Sequence, residues 1–518
     1  MREFGQRCGP RSRRLLAGVL LPVLIVAACT DGPRDGASET TGAPVPERAQ
    51  THHPREPVTV LDARPGPELA MAASDALFRS APIVLVADAQ DVEGLATASE
   101  IAVRLGAPVL VDSGVHPTDV PSGLRQELTR LSPQAVLAVG TAERGKVQAL
   151  VGSVPVFAVG SSQDLPADGL PTTKPPEPAD LTVLVEAAQM TGAAVATARA
   201  AGAEILPVQG TDPRADSAAV EALHADPPAT VLALGAGFGP AERLRARLAV
   251  AATGRQLPGG GQLMPHGKRL VCLYGHPGAP SLGVLGEQDL QHSISRAKRT
   301  AAQYEPLSEV PVVPAFEIIA TVAHGEPGAD GDYSGESSVA SLRPWVEEAG
   351  RSGLYVLLDL QPGRARLQQQ AQRYEALLRL PHVGLAVDPE WKLGPTQEPL
   401  EQIGGIDAAE INETSAWLAD LVAEHSLPQK LLVVHQFRLS MIRNESALVT
   451  THDEVSLLIH MDGQGSTRQK DATWNAVVAA RPAGVPMGWK NFYDEDHSML
   501  TPSQTMQRRP KPAMISYQ

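Results

Sequence analysis

Two acidic residues, Asp388 and Glu390, end an apolar run that reads Val-Gly-Leu-Ala-Val-Asp-Pro-Glu-Trp over Val383–Trp391. In an extended chain, side chains two positions apart point to the same side. Both carboxyl groups are therefore expected on one face, together with the small residues Gly384 and Ala386. Burial and a nearby like charge raise the pKa of a carboxyl group, so one member of such a pair can keep its proton and serve as a general acid.

Other apolar runs in the second half of the chain also end in polar side chains. Run by run, these are His276; Glu317; Asp359 and Gln361; His435 and Gln436; His460, Asp462 and Gln464; Lys490; and Tyr517 with Gln518. If the runs are parallel strands of a barrel, their carboxyl ends meet at one mouth, where the catalytic groups of such barrels lie. Because burying titratable groups costs free energy, so many of them at strand ends indicate a functional pocket.

The spacing of these runs predicts a (β/α)8 TIM-like barrel over 269–518, a length close to the roughly 250 residues of such barrels. Helix-like segments such as 341–349 and 365–380 separate the runs. We expect eight strands, at Leu270–Tyr274, Val310–Ala320, Tyr355–Asp359, Val383–Asp388, Leu431–His435, Val455–Ile459, Val485–Trp489 and Ala513–Tyr517. No helix follows the eighth run, which departs from the ideal pattern.

The Asp-x-Glu ending of the fourth predicted strand resembles that of chitinase-like and lysozyme-like glycosidase barrels. The resemblance implies that Glu390 donates a proton to a glycosidic oxygen and that Asp388 either steers the pKa of Glu390 or stabilises the intermediate. Assisting roles would fall to Asp359, Glu317 or Asp462, and the substrate would be a cell-wall or other surface glycan. The candidate substrate-binding residues are the remaining polar and aromatic groups near the strand ends: His276, Tyr274, Trp391, His435, Gln436, His460, Trp489, Lys490 and Tyr517.

Two other interpretations stay open. The barrel could bind a ligand without turning it over, with Asp388 and Glu390 capping the next loop and Glu390 paired to Arg or Lys. A metal ion could instead be held by His276, His435, His460 and Asp462. The His-x-His sequence that metallohydrolase barrels usually show on their first strand is absent, and the interpretation carried forward needs neither a metal nor a cofactor.

Residues 58–254 alternate short apolar runs with Ala- and Leu-rich stretches. This alternation predicts a Rossmann-like α/β region, in which helices cover both faces of parallel sheets. An internal repeat is visible, because Leu105–Leu110 is echoed by Ala201–Leu206, and Ala135–Gly140 is echoed by Thr230–Gly235.

The run Ala98–Val111, with the helix and strand predicted after it, resembles the cell wall-binding repeat (type 2) family of actinobacteria and clostridia. That family consists of secreted α/β modules that attach proteins to the wall. The resemblance implies two such modules in this chain and a place next to the cell wall.

The segment 1–29 has the pattern of an export leader. Arg11, Arg13 and Arg14 precede the apolar stretch Leu15–Ala28. Its ending, Val-Ala-Ala-Cys, resembles a bacterial lipobox and implies lipidation of Cys29 and anchoring to the membrane. The alternative is an ordinary signal peptide or a short anchor. Residues 30–57 are rich in Gly, Pro and charge without apolar periodicity, which predicts a flexible tether. The Gly-rich stretch 255–268 is expected to link the two folded regions.

The net charge argues against nucleic-acid binding, and the positions of the cysteines predict the state of each one. The 518 residues carry a formal net charge of −14, so no basic surface for nucleic acid is expected. Of the three cysteines, Cys8 would leave with the leader and Cys29 would be modified. Cys272 would remain alone on an apolar strand, where a buried inert thiol is expected.

Overall fold

The computed structural model describes residues 47–113 and 122–518. The predicted leader, the predicted lipidation site Cys29 and residues 30–46 of the predicted tether lie outside the described residues. None of the described helices is both long and apolar enough to cross a bilayer.

The second half of the chain forms a closed barrel of eight parallel strands, as predicted. The strands are β1 (Arg269–Gly275), β2 (Val312–Ala323), β3 (Tyr355–Leu360), β4 (Val383–Val387), β5 (Lys430–His435), β6 (Val455–Met461), β7 (Met487–Asn491) and β8 (Met514–Tyr517). The ring closes because β1 pairs in parallel with both β2 and β8. All eight strands occur in the predicted order, so the TIM-like fold class is confirmed.

Helices on the outside of the barrel connect successive strands. They span Leu290–Ala302, Val339–Arg351, Leu367–Gln372, Glu375–Leu378, Ala408–Glu424, Thr467–Ala480 and Pro502–Thr505. Two small additions decorate the ring: Ser334–Glu336 pairs antiparallel with the end of β2, and Ile406–Asp407 pairs with Ile442–Arg443. The fourth strand turns directly into the single 3-10 turn Pro389–Trp391.

The inside of the barrel is apolar at its amino-terminal end and polar at its mouth. Small residues are required where strands crowd together: a Cβ added to Gly384 would lie 2.6 Å from the carbonyl oxygen of Leu431. Ala386 is fully buried in the same interior cluster as Cys272, a free buried thiol. The predicted linker 255–268 closes this end, because Met264 is fully buried in that cluster.

The region before the barrel contains two four-stranded parallel sheets of matching order. The first sheet runs Val109–Asp112, Ile83–Asp88, Ala135–Val139, Val156–Val159, and the second runs Glu204–Val208, Thr182–Glu186, Val231–Leu234, Val58–Leu61. The predicted internal repeat is therefore present as two similar sheets. In the second sheet the fourth position is filled by Val58–Leu61, a strand that precedes the first repeat along the chain.

Helices cover these sheets, as the alternating sequence pattern predicts. They span Pro67–Leu77, Val92–Leu105, Ser122–Leu131, Arg144–Val151, Ala193–Ala200, Ser217–Ala225 and Ala241–Ala251. A short antiparallel pair, Gln50–Thr51 with Phe78–Ser80, binds the end of the predicted tether to the first sheet's helix layer.

The α/β region contacts the barrel near the start of β6. Arg247 donates two hydrogen bonds to the carboxylate of Asp453, at 3.0 and 2.8 Å. Arg214 donates to the backbone carbonyl of Asp453 at 3.2 Å and is itself held by Asp212. These contacts lie at the amino-terminal end of the barrel strands, away from the mouth.

Candidate active site

A cavity of about 280 Å³ opens at the mouth of the barrel, among the carboxyl ends of its strands. Its wall combines acids, aromatic rings and amides around one lysine. The acids are Asp388, Glu390, Asp462 and Glu495; the aromatic residues are Tyr274, Trp391, Phe437 and Phe492; the amides are Gln361, Gln464 and Gln518; and the lysine is Lys490. The expected polar pocket is thus formed by residues from most of the strand ends.

Beneath the cavity, His435 lies between two carboxylates. Its Nε2 donates to Glu317 Oε1 and its Nδ1 to Asp462 Oδ2, both at 2.8 Å. Burial lowers the pKa of an imidazole, but the charges of these two carboxylates and their hydrogen bonds outweigh it, so the pKa of His435 lies well above its usual value. His435 is therefore an imidazolium that joins the ends of β2, β5 and β6.

This imidazolium determines the ionisation of Asp462. Burial alone would raise the pKa of its carboxyl group, but the charge and hydrogen bond of His435 outweigh burial and lower it. Asp462 therefore faces the cavity as a carboxylate. The next ring, His460, stacks on His435 with 5.1 Å between centroids and hydrogen-bonds Ser516 at 3.0 Å. Burial and the positive charge of His435 hold the pKa of His460 well below its usual value, so His460 is neutral.

The pKa of Glu390, in contrast to that of Asp462, is raised. Glu390 is half-buried in the cavity wall, and burial together with the negative charge of Asp462 raises its pKa to about 7. Asp388 is buried beside it, and burial with the charge of Glu390 raises the pKa of Asp388 well above its usual range. The side chain of Asp388 also accepts a hydrogen bond from the backbone N–H of Glu390 at 3.3 Å, which caps the turn that aims Glu390 at the cavity.

Tyr274 and Lys490 form the side of the cavity opposite this turn. The Tyr274 hydroxyl donates to Asp359 Oδ2 at 2.9 Å, and the Lys490 ammonium lies 3.6 Å from the centroid of the Tyr274 ring. Burial raises the pKa of Asp359 to about 6, against the nearby charge of His435, which lowers it. Lys490 forms no ion pair within 4 Å with a described carboxylate, so its charge acts on the acids through space.

The structure divides the predicted site residues into three groups. Asp388, Glu390, Asp462, Tyr274, Trp391 and Lys490 line the cavity. Glu317, Asp359, His435 and His460 are fully buried around it and act through the residues that do line it. The remaining candidates, His276, Gln436, Trp489 and Tyr517, do not line the cavity.

Trp489 and Tyr517 point away from the cavity because adjacent residues of a strand face opposite sides. Lys490 and Ser516 face the inside of the barrel, so their neighbours Trp489 and Tyr517 face the helices. The Trp489 ring lies 5.6 Å from that of Trp474 in the helix Thr467–Ala480, and the Tyr517 hydroxyl bonds Tyr304 at 2.6 Å. Neither ring therefore lines the cavity, and both pack against the helix layer instead.

His276 and Gln436 are occupied by other partners. His276 Nε2 lies 3.0 Å from the Ser337 hydroxyl, and Gln436 donates to the buried Glu445 at 2.9 Å. Both residues follow a strand, where the backbone leaves the regular alternation, so sequence position alone did not fix where their side chains point.

Two aromatic residues and one ion pair of the site were missed at the sequence level. Phe437 and Phe492 line the cavity directly after the ends of β5 and β7. Their position just beyond predicted strands was the available signal. Lys470 pairs with Asp496 in the interior and also donates to the Lys490 carbonyl at 2.7 Å; no local pattern links these residues, which are 26 positions apart.

Two overlapping sets of side chains have the donor types of a metal site. The ligand atoms of Asp388, His435 and Asp462 lie within 4.8 Å of one another, as do those of Glu317, His435 and His460. Both ring nitrogens of His435 already donate to carboxylates, so an ion would have to replace one of those protons. The chemistry proposed below uses protons and carboxylates alone.

Comparisons with known proteins give little further information. No family model matches the chain, and no curated protein matches it. Among solved structures, Cwp6 from Clostridium difficile is similar over 62% of this chain and 65% of that protein, with 14% sequence identity and a TM-score of 0.31. The similarity thus spans less than two thirds of Cwp6.

Proposed function

We propose that the barrel is a glycoside hydrolase that acts on a cell-wall or other surface glycan. The observation that carries the proposal is the pair of unlike carboxyl groups that line one cavity. Glu390 keeps a proton up to about pH 7, whereas Asp462 is held ionised by His435. Cleavage of a glycosidic bond needs this combination, an acid for the leaving oxygen and a carboxylate for the developing positive charge.

In this mechanism Glu390 protonates the glycosidic oxygen. Its proton is available near neutral pH because burial and the charge of Asp462 disfavour the ionised form. Asp462 stabilises the positive charge that develops on the sugar ring as the bond breaks. A water molecule from solvent then adds to the anomeric carbon and gives up a proton to the ionised Glu390, which restores the acid. Trp391, Phe437 and Phe492 offer ring faces on which a sugar can stack.

The supporting residues act through other side chains rather than on the substrate itself. Glu317 orients His435, and His435 keeps Asp462 ionised. Asp388 caps the turn that carries Glu390, and this cap aims Glu390 at the cavity. Asp359 orients the Tyr274 hydroxyl, which borders the cavity.

A binding function without turnover is the second candidate. It would be favoured by an ion pair that neutralised Glu390. Among the described residues, no Arg or Lys forms an ion pair with Glu390 within 4 Å, and this favours the catalytic proposal. We also propose that lipidation of Cys29 anchors the protein outside the cytoplasmic membrane and that the paired α/β sheets hold it at the wall, as the sequence resemblances imply.

The test is release of reducing ends by the purified chain from peptidoglycan and from simple glycans. Glu390→Gln should reduce turnover by at least about a hundredfold, since general acid catalysis typically contributes 10²–10⁴. Wild-type activity should fall as the pH rises through about 7, because Glu390 then loses its proton. Glu401→Gln, an exposed change in the loop after the same strand, should leave activity unchanged.

No release by the wild type from any of these glycans would contradict the proposal for them. Equal activity of the wild type and Glu390→Gln would remove Glu390 from the mechanism.

A further inference from the structure

The wall of the active-site cavity contains more acidic than basic side chains. Among the described residues that line it, four are acids, Asp388, Glu390, Asp462 and Glu495, and Lys490 is the single cation. Behind the wall, Glu317 and Asp359 add two buried carboxyl groups, and His435 is already shared between Glu317 and Asp462. A positively charged ligand would be attracted into this cavity, and an anionic one repelled.

Asp462 supplies a second, independent observation. It is only 7% exposed, and its Oδ2 accepts the hydrogen bond of His435. Its Oδ1 has no hydrogen-bond partner among the described residues. A buried carboxylate oxygen without a donor costs free energy. A donor that arrives with a ligand would satisfy it.

The nearby lysines do not fill this place. The ammonium of Lys490 lies over the ring of Tyr274, 3.6 Å from its centroid, and forms no ion pair with a described carboxylate within 4 Å. Lys470 is buried and committed to Asp496 and to the Lys490 carbonyl. Neither lysine is therefore the missing donor to Asp462 Oδ1.

The rest of the wall suits a charged sugar. Trp391 and Phe437 present aromatic faces, which attract cations and pack against sugar rings. Gln464 and Gln518 offer amide groups for hydroxyls. The cavity volume of about 280 Å³ lies just below the roughly 300–1,000 Å³ of ligand sites, so the cavity encloses a single ring and the other units of a glycan chain would lie outside it.

We propose that the cavity selects glycans with a free, protonated amine, that is, hexosamine units without an N-acyl group, whose ammonium donates to Asp462 Oδ1. This inference rests on the proposed glycosidase function, which makes the ligand a glycan. It adds that the glycan is positively charged. An N-acylated sugar lacks the positive charge and a sugar acid carries the wrong one, so both bind more weakly.

The experiment is isothermal titration of the full chain at pH 6 with two β-1,4-linked tetrasaccharides, one of glucosamine and one of N-acetylglucosamine. We expect the free-amine tetrasaccharide to bind about tenfold more tightly or better, a difference of at least ~1.4 kcal/mol. No binding or equal affinity would overturn the proposal.

Two variants test whether Asp462 and Glu495 cause the preference for the amine. Asp462→Asn should abolish the preference for the amine, with circular dichroism confirming that the variant is folded. Glu495→Gln removes the charge of an exposed cavity residue, and should weaken amine binding severalfold and by more than it weakens binding of the N-acetylated ligand. Glu401→Gln is the matched control and should bind like the wild type.

Reducing ends measured on the same two ligands separate this inference from the proposed function. Selective binding of the amine without cleavage would support the charge inference and count against hydrolysis of these glycans. Cleavage of both ligands without preferential binding of the amine would support the proposed hydrolysis and count against the charge inference.

Discussion

At the scale of single residues, the site depends on carboxyl groups that are chemically alike but differ in their surroundings. Asp462 touches an imidazolium and stays ionised, whereas Glu390 has no cationic partner within 4 Å among the described residues and keeps its proton. The difference is set by His435, which Glu317 fixes from the far side. One histidine thus separates the roles of acid and carboxylate.

This arrangement predicts that Glu390 lowers stability at high pH. Its pKa is about 7 in the folded protein against about 4.5 in the unfolded chain, so the folded state binds more protons between these values. Stability therefore falls as the pH rises through that window. Glu390→Gln should match the wild type at pH 4 and exceed it at pH 8, by on the order of 3 kcal/mol at most.

Chemical denaturation of the wild type and Glu390→Gln at both pH values measures this difference. Glu401→Gln, an exposed change, should show no pH-dependent gain. An equal stability difference at pH 4 and pH 8 would contradict the assigned pKa of Glu390.

Residue alternation explains which site residues the sequence could predict. Gly384, Ala386 and Asp388 share one face of β4, as their spacing implies, and the turn after β4 brings Glu390 to the cavity. The same rule excludes Trp489 once Lys490 faces inward, because neighbours on a strand alternate. Residues beyond a strand end follow no such rule, so the cavity positions of Phe437 and Phe492 needed the structure.

At the scale of elements, one buried ion pair holds the loop after β7 in place. Lys470, on the helix Thr467–Ala480, bonds Asp496, and Asp496 also accepts from the backbone N–H of Phe492 at 3.0 Å and of Gly465 at 3.2 Å. The loop that carries Phe492 and Glu495 into the cavity is thereby fixed to a helix.

Lys470→Met should therefore destabilise the protein and loosen this loop. Removing one member of a buried pair leaves the other charge uncompensated, at a cost of about 3–5 kcal/mol. Denaturant unfolding gives the cost, and hydrogen exchange of the loop after β7 reports the loosening. Arg351→Met, which breaks the exposed pair with Glu348, should cost less than about 1 kcal/mol. Equal costs for the two variants would contradict the role assigned to Lys470.

At the scale of the whole molecule, the strand pattern was readable because each barrel strand is an apolar run bounded by polar or turn residues. The packing between regions was not readable, because it involves residues far apart along the chain. The Gly-rich stretch 255–268 has the composition of a linker, yet Gln262 and Met264 are fully buried beneath the barrel. Gln262 also accepts a hydrogen bond from the backbone of Gln429 at 2.9 Å.

The contact between the α/β region and the barrel should stabilise the molecule without affecting the site. Asp453 accepts both hydrogen bonds of Arg247 near the start of β6, whereas the cavity lies at the opposite ends of the strands. Asp453→Ala removes these charge-assisted bonds and should lower the free energy of unfolding by about 1–3 kcal/mol. Protease cleavage within 255–268 should become faster, while glycan binding at the mouth stays within experimental error of the wild type. Weaker glycan binding in a variant that remains fully folded would show that the two ends of the barrel are coupled.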